Sequence, residues 1–128
     1  MKLEVGQFAR LKSGYICKII NINDFREPNM KYGVEANYLK DVMFIGDDDV
    51  VKASYNIIEI LEENDYVNGL RVEKNKYGEL YTSYVYYGGD IGKQCEVYTT
   101  WLKELEEDMI YSIVTHEQME QMAYKVGE

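Results

Sequence analysis

A mainly β chain of two small SH3-like barrel units, closed by a short C-terminal helix, is what these 128 residues predict. Three observations carry that expectation. Short β-rich runs follow one another, with turn residues between them. Tyrosine is in excess, with 13 against three Phe and one Trp, and it favours pleated, half-buried surfaces. The second half of the chain also restarts the pattern of the first, which suggests a tandem duplication with units at 1–62 and 63–128.

In the first half, Val5 to Lys12 alternates loosely, and Ser13-Gly14 signals a turn into the strong strand run Tyr15 to Ile22. These make a hairpin. Asn23 to Gly33 holds the single proline, Pro28, and predicts an exposed loop. Val34–Leu39 and Val42–Ile45 are short strands, and Val50–Ala53 closes the unit. Ser54 is placed to cap a helical turn over residues 56–61. Five short strands in about sixty residues fit a small barrel.

In the second half, Asp65–Val72 is a strand that Asn68-Gly69 turns or bulges. Asn75 to Gly78 is a turn. Glu79–Tyr87 is a β run with Leu80, Thr82, Tyr84 and Tyr86 on one face and Tyr81, Ser83, Val85 and Tyr87 on the other. Both faces are largely apolar or aromatic, so part of this strand meets something besides its own core. Cys95–Leu102 is a further strand containing Trp101. An acidic turn (Glu104, Glu106, Glu107, Asp108) then precedes Met109-Ile110-Tyr111. Thr115 and Gln118 form a capping-box pattern, so a helix is expected from His116 to Ala123, with Met119 and Met122 turned to the core.

The repeat is one of pattern. Gly6-Gln7-Phe8 corresponds to Asn64-Asp65-Tyr66, and Asp49-Val50-Val51 to Asp108-Met109-Ile110, where an acidic turn enters a short strand. Two packed units would ease the weak core of a sixty-residue barrel.

Charge narrows the function. The net charge is −9; residues 1–62 carry 8 basic and 10 acidic groups, and residues 63–128 carry 6 and 13. Such a surface repels a phosphate backbone, so direct nucleic-acid binding is not expected. It attracts a basic partner, including a protein surface built to hold nucleic acid.

Catalytic and metal signatures are not found. Asp47-Asp48-Asp49 lacks the alternating ligands, central Gly and distal Glu of a calcium loop. Gly88-Gly89-Asp90-Ile91-Gly92 lacks the Lys-Ser/Thr ending of a phosphate loop. Cys17 and Cys95 have no metal-like spacing and are expected as buried, reduced thiols. His116, the single histidine, opens the helix without a nucleophile motif. No catalytic residue, metal site or cofactor is expected. The N-terminus lacks an apolar targeting segment and no stretch suits a bilayer, so the expected compartment is the cytoplasm.

Asp65-Tyr66-Val67-Asn68-Gly69-Leu70-Arg71-Val72, Ser112-Ile113-Val114-Thr115-His116-Glu117-Gln118 and the ending Tyr124-Lys125-Val126 resemble a group of small phage and prophage proteins of Firmicutes. Members typically carry Gly-Asp-Tyr-Val-Asn-Gly after an apolar turn, and a Ser-Ile-Val-Thr-x-Glu-Gln helix. Here Asn64 stands where the usual Gly precedes the Asp. The resemblance implies a phage accessory protein acting inside an infected bacterium. Anti-CRISPR proteins are the best-known class of small, acidic, non-catalytic phage proteins.

The reading that follows is an inhibitor that occupies a basic nucleic-acid groove on a host CRISPR effector nuclease. Its partner-binding residues are Tyr84, Tyr86, Tyr87 and Trp101 as anchors, with Glu104, Glu106, Glu107 and Asp108 supplying charge. Two alternatives stand beside it: a sponge that holds a nucleotide immune signal between aromatic rings, and a structural or transcription-modulating phage adaptor. A homodimer is compatible with each.

Overall fold

A computed structural model describes residues 2–36, 42–87 and 95–126, with side chains described for all of these except 85–87, 95–96 and 123–126. The chain is mainly β, with eleven antiparallel strands in three sheets and one short C-terminal helix among the described residues. Two compact units are present, residues 1–61 with 117–128, and residues 62–116.

The first unit holds β1 (Phe8–Leu11), β2 (Ile16–Ile22), β3 (Tyr32–Glu35), β4 (Met43–Ile45) and β5 (Val50–Ser54). They form one sheet in the order β4-β3-β2-β1-β5. The predicted hairpin is β1–β2, turned at Gly14 with φ +93°. A 3-10 turn at Asp47–Asp49 joins β4 to β5. It stays exposed, with Asp47 accepting from the Tyr32 hydroxyl at 2.7 Å and Asp49 from the Gly46 amide at 2.9 Å. One face of the sheet buries Ala9, Leu11, Cys17, Ile19, Tyr32 and Val34.

All four β1 residues are buried, which a sheet wet on one side does not allow. Arg10 is wholly buried, donating Nε to Glu117 Oε2 and Nη1 to the Ile60 carbonyl, each at 3.1 Å. Its Nη2 donates to Glu117 Oε1, making a bidentate pair. Ile60 closes a 3-10 turn (Ile57–Ile60), and Glu117 lies in the first turn of helix α1 (His116–Val126).

Several expectations are corrected here. No closed barrel is found, because β4 and β5 remain the two edges of an open sheet. The helix expected with the second half belongs, from Glu117 on, with the first unit. Met119 and Met122 are exposed, because the helix face turned to this unit carries Glu117 and Gln121, whose Nε2 donates to the Ser13 carbonyl at 2.9 Å. Asn56, not Ser54, caps the turn over 57–60, its Oδ1 accepting from the Ile58 amide. Residues 37–39 of the expected third strand lie outside the described residues.

The second unit holds β6 (Tyr66–Val67), β7 (Leu70–Arg71), β8 (Glu73–Lys74), β9 (Leu80–Tyr87), β10 (Cys95–Trp101) and β11 (Ile113–Val114). Two three-stranded sheets result, β11-β6-β7 and β10-β9-β8. Asn68 (φ +53°) and Gly69 (φ +82°) make the two-residue turn of the β6–β7 hairpin. Both central residues take left-handed φ, the type I′ geometry that Asn-Gly favours.

The two units open alike. In the first, the Gln7 side chain accepts from the Glu4 amide at 2.8 Å, the Gln7 amide donates to the Glu4 carbonyl at 3.2 Å, and Gly6 has φ +97°. In the second, Asp65 accepts from the Glu62 amide at 2.7 Å and donates back at 3.2 Å, and Asn64 has φ +74°. Asn is among the few residues other than Gly that tolerate this φ. The first strand of each unit also pairs with its closing strand, β1 with β5 and β6 with β11. A 3-10 turn precedes each closing strand, at Asp47–Asp49 and at Glu107–Met109.

Candidate protein-binding surface

The surface is built on β9 and β10. They pair over seven residues, from Cys95↔Tyr87 to Trp101↔Tyr81. β8 reaches only Leu80 and Tyr81, so from Thr82 onward β9 has β10 as its one strand neighbour. Thr82 is buried at the base of the ribbon, whereas Tyr84, Val97, Tyr98 and Thr99 are exposed.

Register decides which side chains meet. Opposed residues of an antiparallel pair share a face, so Tyr84 stands beside Tyr98 on one face and Val97 on the other. The Tyr84 and Tyr98 rings stack with centroids 5.1 Å apart and planes 19° apart. Tyr84 is 47% exposed and Tyr98 43%. On the opposite face, Tyr81 and Trp101 meet edge-on at 5.5 Å, each half-buried. Trp101 thus packs at the root of the ribbon and does not stand out as an anchor.

The acidic stretch follows Trp101. A 3-10 turn at Leu102–Glu104 drives Leu102 into the unit, and a second follows at Glu107–Met109. Glu104, Glu106, Glu107 and Asp108 are all exposed, as expected. Lys103, the basic residue among them, is engaged by Glu79 at 3.0 Å. That hydrogen bond, with a second from Asn75, holds the Glu79 carboxyl below the usual carboxylate range. The unit carries 5 basic and 11 acidic residues.

Asn68 fastens the end of this stretch. Its Nδ2 donates to the Met109 carbonyl at 2.9 Å, and its Oδ1 accepts from the amides of Tyr111 at 2.9 Å and Ser112 at 3.2 Å. The strand expected at Met109-Ile110 is displaced to Ile113–Val114, since the Met109 and Ile110 amides donate to the Glu106 and Glu107 carbonyls of the 3-10 turn. Asn68 carries no chemical motif, and only its place in an Asn-Gly turn marked it.

His116 is half-buried, with Nε2 2.8 Å from Glu62 Oε1, and its amide donates to the buried Asp65 carboxylate at 3.0 Å. Glu4 of the first unit is placed alike, accepting from the Tyr55 hydroxyl. In each unit the carboxylate of the opening turn thus holds the residue that follows the closing strand or nearly so. Cys17 donates to the Ala9 carbonyl at 3.7 Å, and burial pushes its thiol up to about 12.

The side chains of Tyr86, Tyr87 and Cys95 lie outside the described residues, as does the stretch 88–92. Tyr98 and Val97 were missed as surface residues, since only the β9–β10 register reveals them as cross-strand partners. No helix among the described residues is long and apolar enough to cross a membrane. Comparison with known protein families, with curated proteins and with solved structures finds no match.

Proposed function

We propose that this chain is a non-catalytic, phage-encoded binding protein that blocks host defence machinery, most simply as an anti-CRISPR inhibitor. The β9–β10 ribbon and the acidic turns after it form the working surface, and the partner is the basic nucleic-acid groove of a CRISPR effector nuclease in the bacterial cytoplasm. One observation carries the reading. A ribbon with exposed apolar or aromatic residues on both faces stands in sequence beside four exposed carboxylates. Aromatic anchors next to exposed charge suit a protein interface, and the sign of the charge selects a basic partner. The resemblance of the Asp65–Val72 and Ser112–Gln118 segments to phage proteins supplies the biological setting.

Within this reading both units are SH3-like and arose by duplication. The strand order of the first unit, its 3-10 link into the closing strand and the matching opening turns support that. Adaptor roles are common among such small β units, which keeps the transcription-modulating alternative in view.

The test is calorimetric titration against a purified CRISPR effector nuclease, with and without guide and target. Binding should weaken steeply with salt and vanish when target nucleic acid fills the groove. Reversing charge at Glu104, Glu106, Glu107 and Asp108 together should weaken binding by a factor of ten or more, since each exposed charge contributes about 0.2–1 kcal/mol. Unchanged affinity in that variant rejects the electrostatic interface.

A further inference from the structure

Four aromatic rings of this chain, buried Phe8 and Tyr32 and exposed Phe44 and Tyr77, each lie under a cation. Lys18 lies over Phe8 at 5.3 Å, Arg26 over Phe44 at 4.5 Å, Lys31 over Tyr32 at 5.4 Å and Lys76 over Tyr77 at 5.1 Å. These rings are each covered by a cation of the chain itself. Tyr84 is different. Among the described residues no cation covers it, although it is nearly half exposed. Its neighbour across the ribbon is another ring, Tyr98, stacked at 5.1 Å.

We propose that Tyr84, braced by Tyr98, is the seat for an arginine presented by a basic protein partner. This rests on the ribbon's being the working surface and adds which cation it takes. The stacked pair is already ordered on two paired strands, so little side-chain freedom is lost when a group settles on it. A ring face attracts a cation through its quadrupole, and more so when the site is desolvated. The surrounding unit has 11 acidic against 5 basic residues, so a cation is drawn in and an anion is not. A planar guanidinium can lie flat on the ring and keep its edge donors free for further hydrogen bonds. A lysine ammonium is a compact, strongly hydrated charge that gains less from a flat ring. The seat therefore discriminates arginine from lysine, which carboxylates alone do poorly.

The probes are oligo-arginine and oligo-lysine peptides of equal length, end-labelled and followed by fluorescence anisotropy at fixed ionic strength against the full chain. The wild type should bind oligo-arginine about fivefold more tightly, the scale of a surface cation–π contact. Tyr84→Leu should bring oligo-arginine down to the oligo-lysine level and leave oligo-lysine unchanged, whereas Tyr84→Phe should keep the preference. An unchanged circular dichroism spectrum establishes that each variant is folded. The quadruple charge reversal at Glu104, Glu106, Glu107 and Asp108 should weaken both peptides alike. Equal affinities in the wild type, or a preference that survives Tyr84→Leu, overturns the arginine seat and leaves the acidic interface standing. Failure of either peptide to bind overturns both.

Discussion

Replacing Glu117 by Gln keeps the shape of the side chain and removes the charge that faces Arg10. The guanidinium is wholly buried, and two of its nitrogens donate to this one carboxylate. Breaking a buried pair by removing one partner costs about 3–5 kcal/mol, because the remaining charge is left in a poor solvent. Glu117 itself keeps 22% of its side-chain surface, so water can partly replace it and the lower end applies, about 3 kcal/mol. With a urea dependence of about 1.5 kcal/mol per molar, the midpoint should fall by about 2 M. Urea unfolding followed by circular dichroism measures the shift, and hydrogen exchange at the β1 amides localises it to the first unit. The double change Arg10→Met with Glu117→Leu replaces the pair by apolar groups and should recover most of the loss. A loss under about 1 kcal/mol for Glu117→Gln would show that Arg10 finds water or another acceptor, and the reasoning about its burial would fall.

Asn68→Ala should cost about 2–3 kcal/mol, since it deletes three hydrogen bonds and places Ala at φ +53°; an unchanged thermal midpoint would deny Asn68 its fastening role. Gly46→Ala and Gly69→Ala should fail for different reasons. At Gly46 a Cβ would meet the Pro28 carbonyl at 2.5 Å, so a loss of about 1–3 kcal/mol is expected from overpacking, whereas Gly69 has open space but φ +82°, and only about 1 kcal/mol of backbone strain is expected. Equal and negligible losses in the two unfolding curves would contradict both arguments. In a Cys95→Ser background, Cys17 should resist a disulfide reagent at pH 8 until urea is added, because burial raises the thiol from 9.0 to about 12. With the folded value raised, the stability from the neutral thiol is fully present below pH 9 and is lost as pH climbs towards 12. Rapid labelling of the folded chain would refute the burial of Cys17.

Much of the architecture was legible because it rests on local chemistry. The Ser13-Gly14 and Asn68-Gly69 turns and the helix start at His116 follow from residue types whose backbone preferences override context. The opening-turn repeat was legible in outline, with Gly6 against Asn64. What it missed depends on distant partners. Arg10 looks like a solvent residue in an alternating strand, and its burial is made tolerable by partners far along the chain, the Ile60 carbonyl and the Glu117 carboxylate 107 positions away. Met119 and Met122 satisfy the helical spacing of a core stripe, yet the helix is anchored by Glu117 and Gln121, so the stripe faces solvent. Of the proposed surface, Tyr84 and the four carboxylates are candidates on sequence alone, whereas Tyr98 needs the strand register. Trp101, expected as an anchor, meets Tyr81 edge-on and is half-buried at the ribbon's root.

The helix that belongs to the first unit is made after every strand among the described residues. Residues 62–116 are contiguous, so the second unit can complete itself as soon as it has emerged. The first unit is discontinuous, and the β1 guanidinium waits for the Glu117 carboxylate until that helix is made. Closure must join positions 10 and 117, a long-range contact that slows folding because loop entropy is lost before the contact forms. The order of maturation is thereby inverted, with the N-terminal unit finishing second.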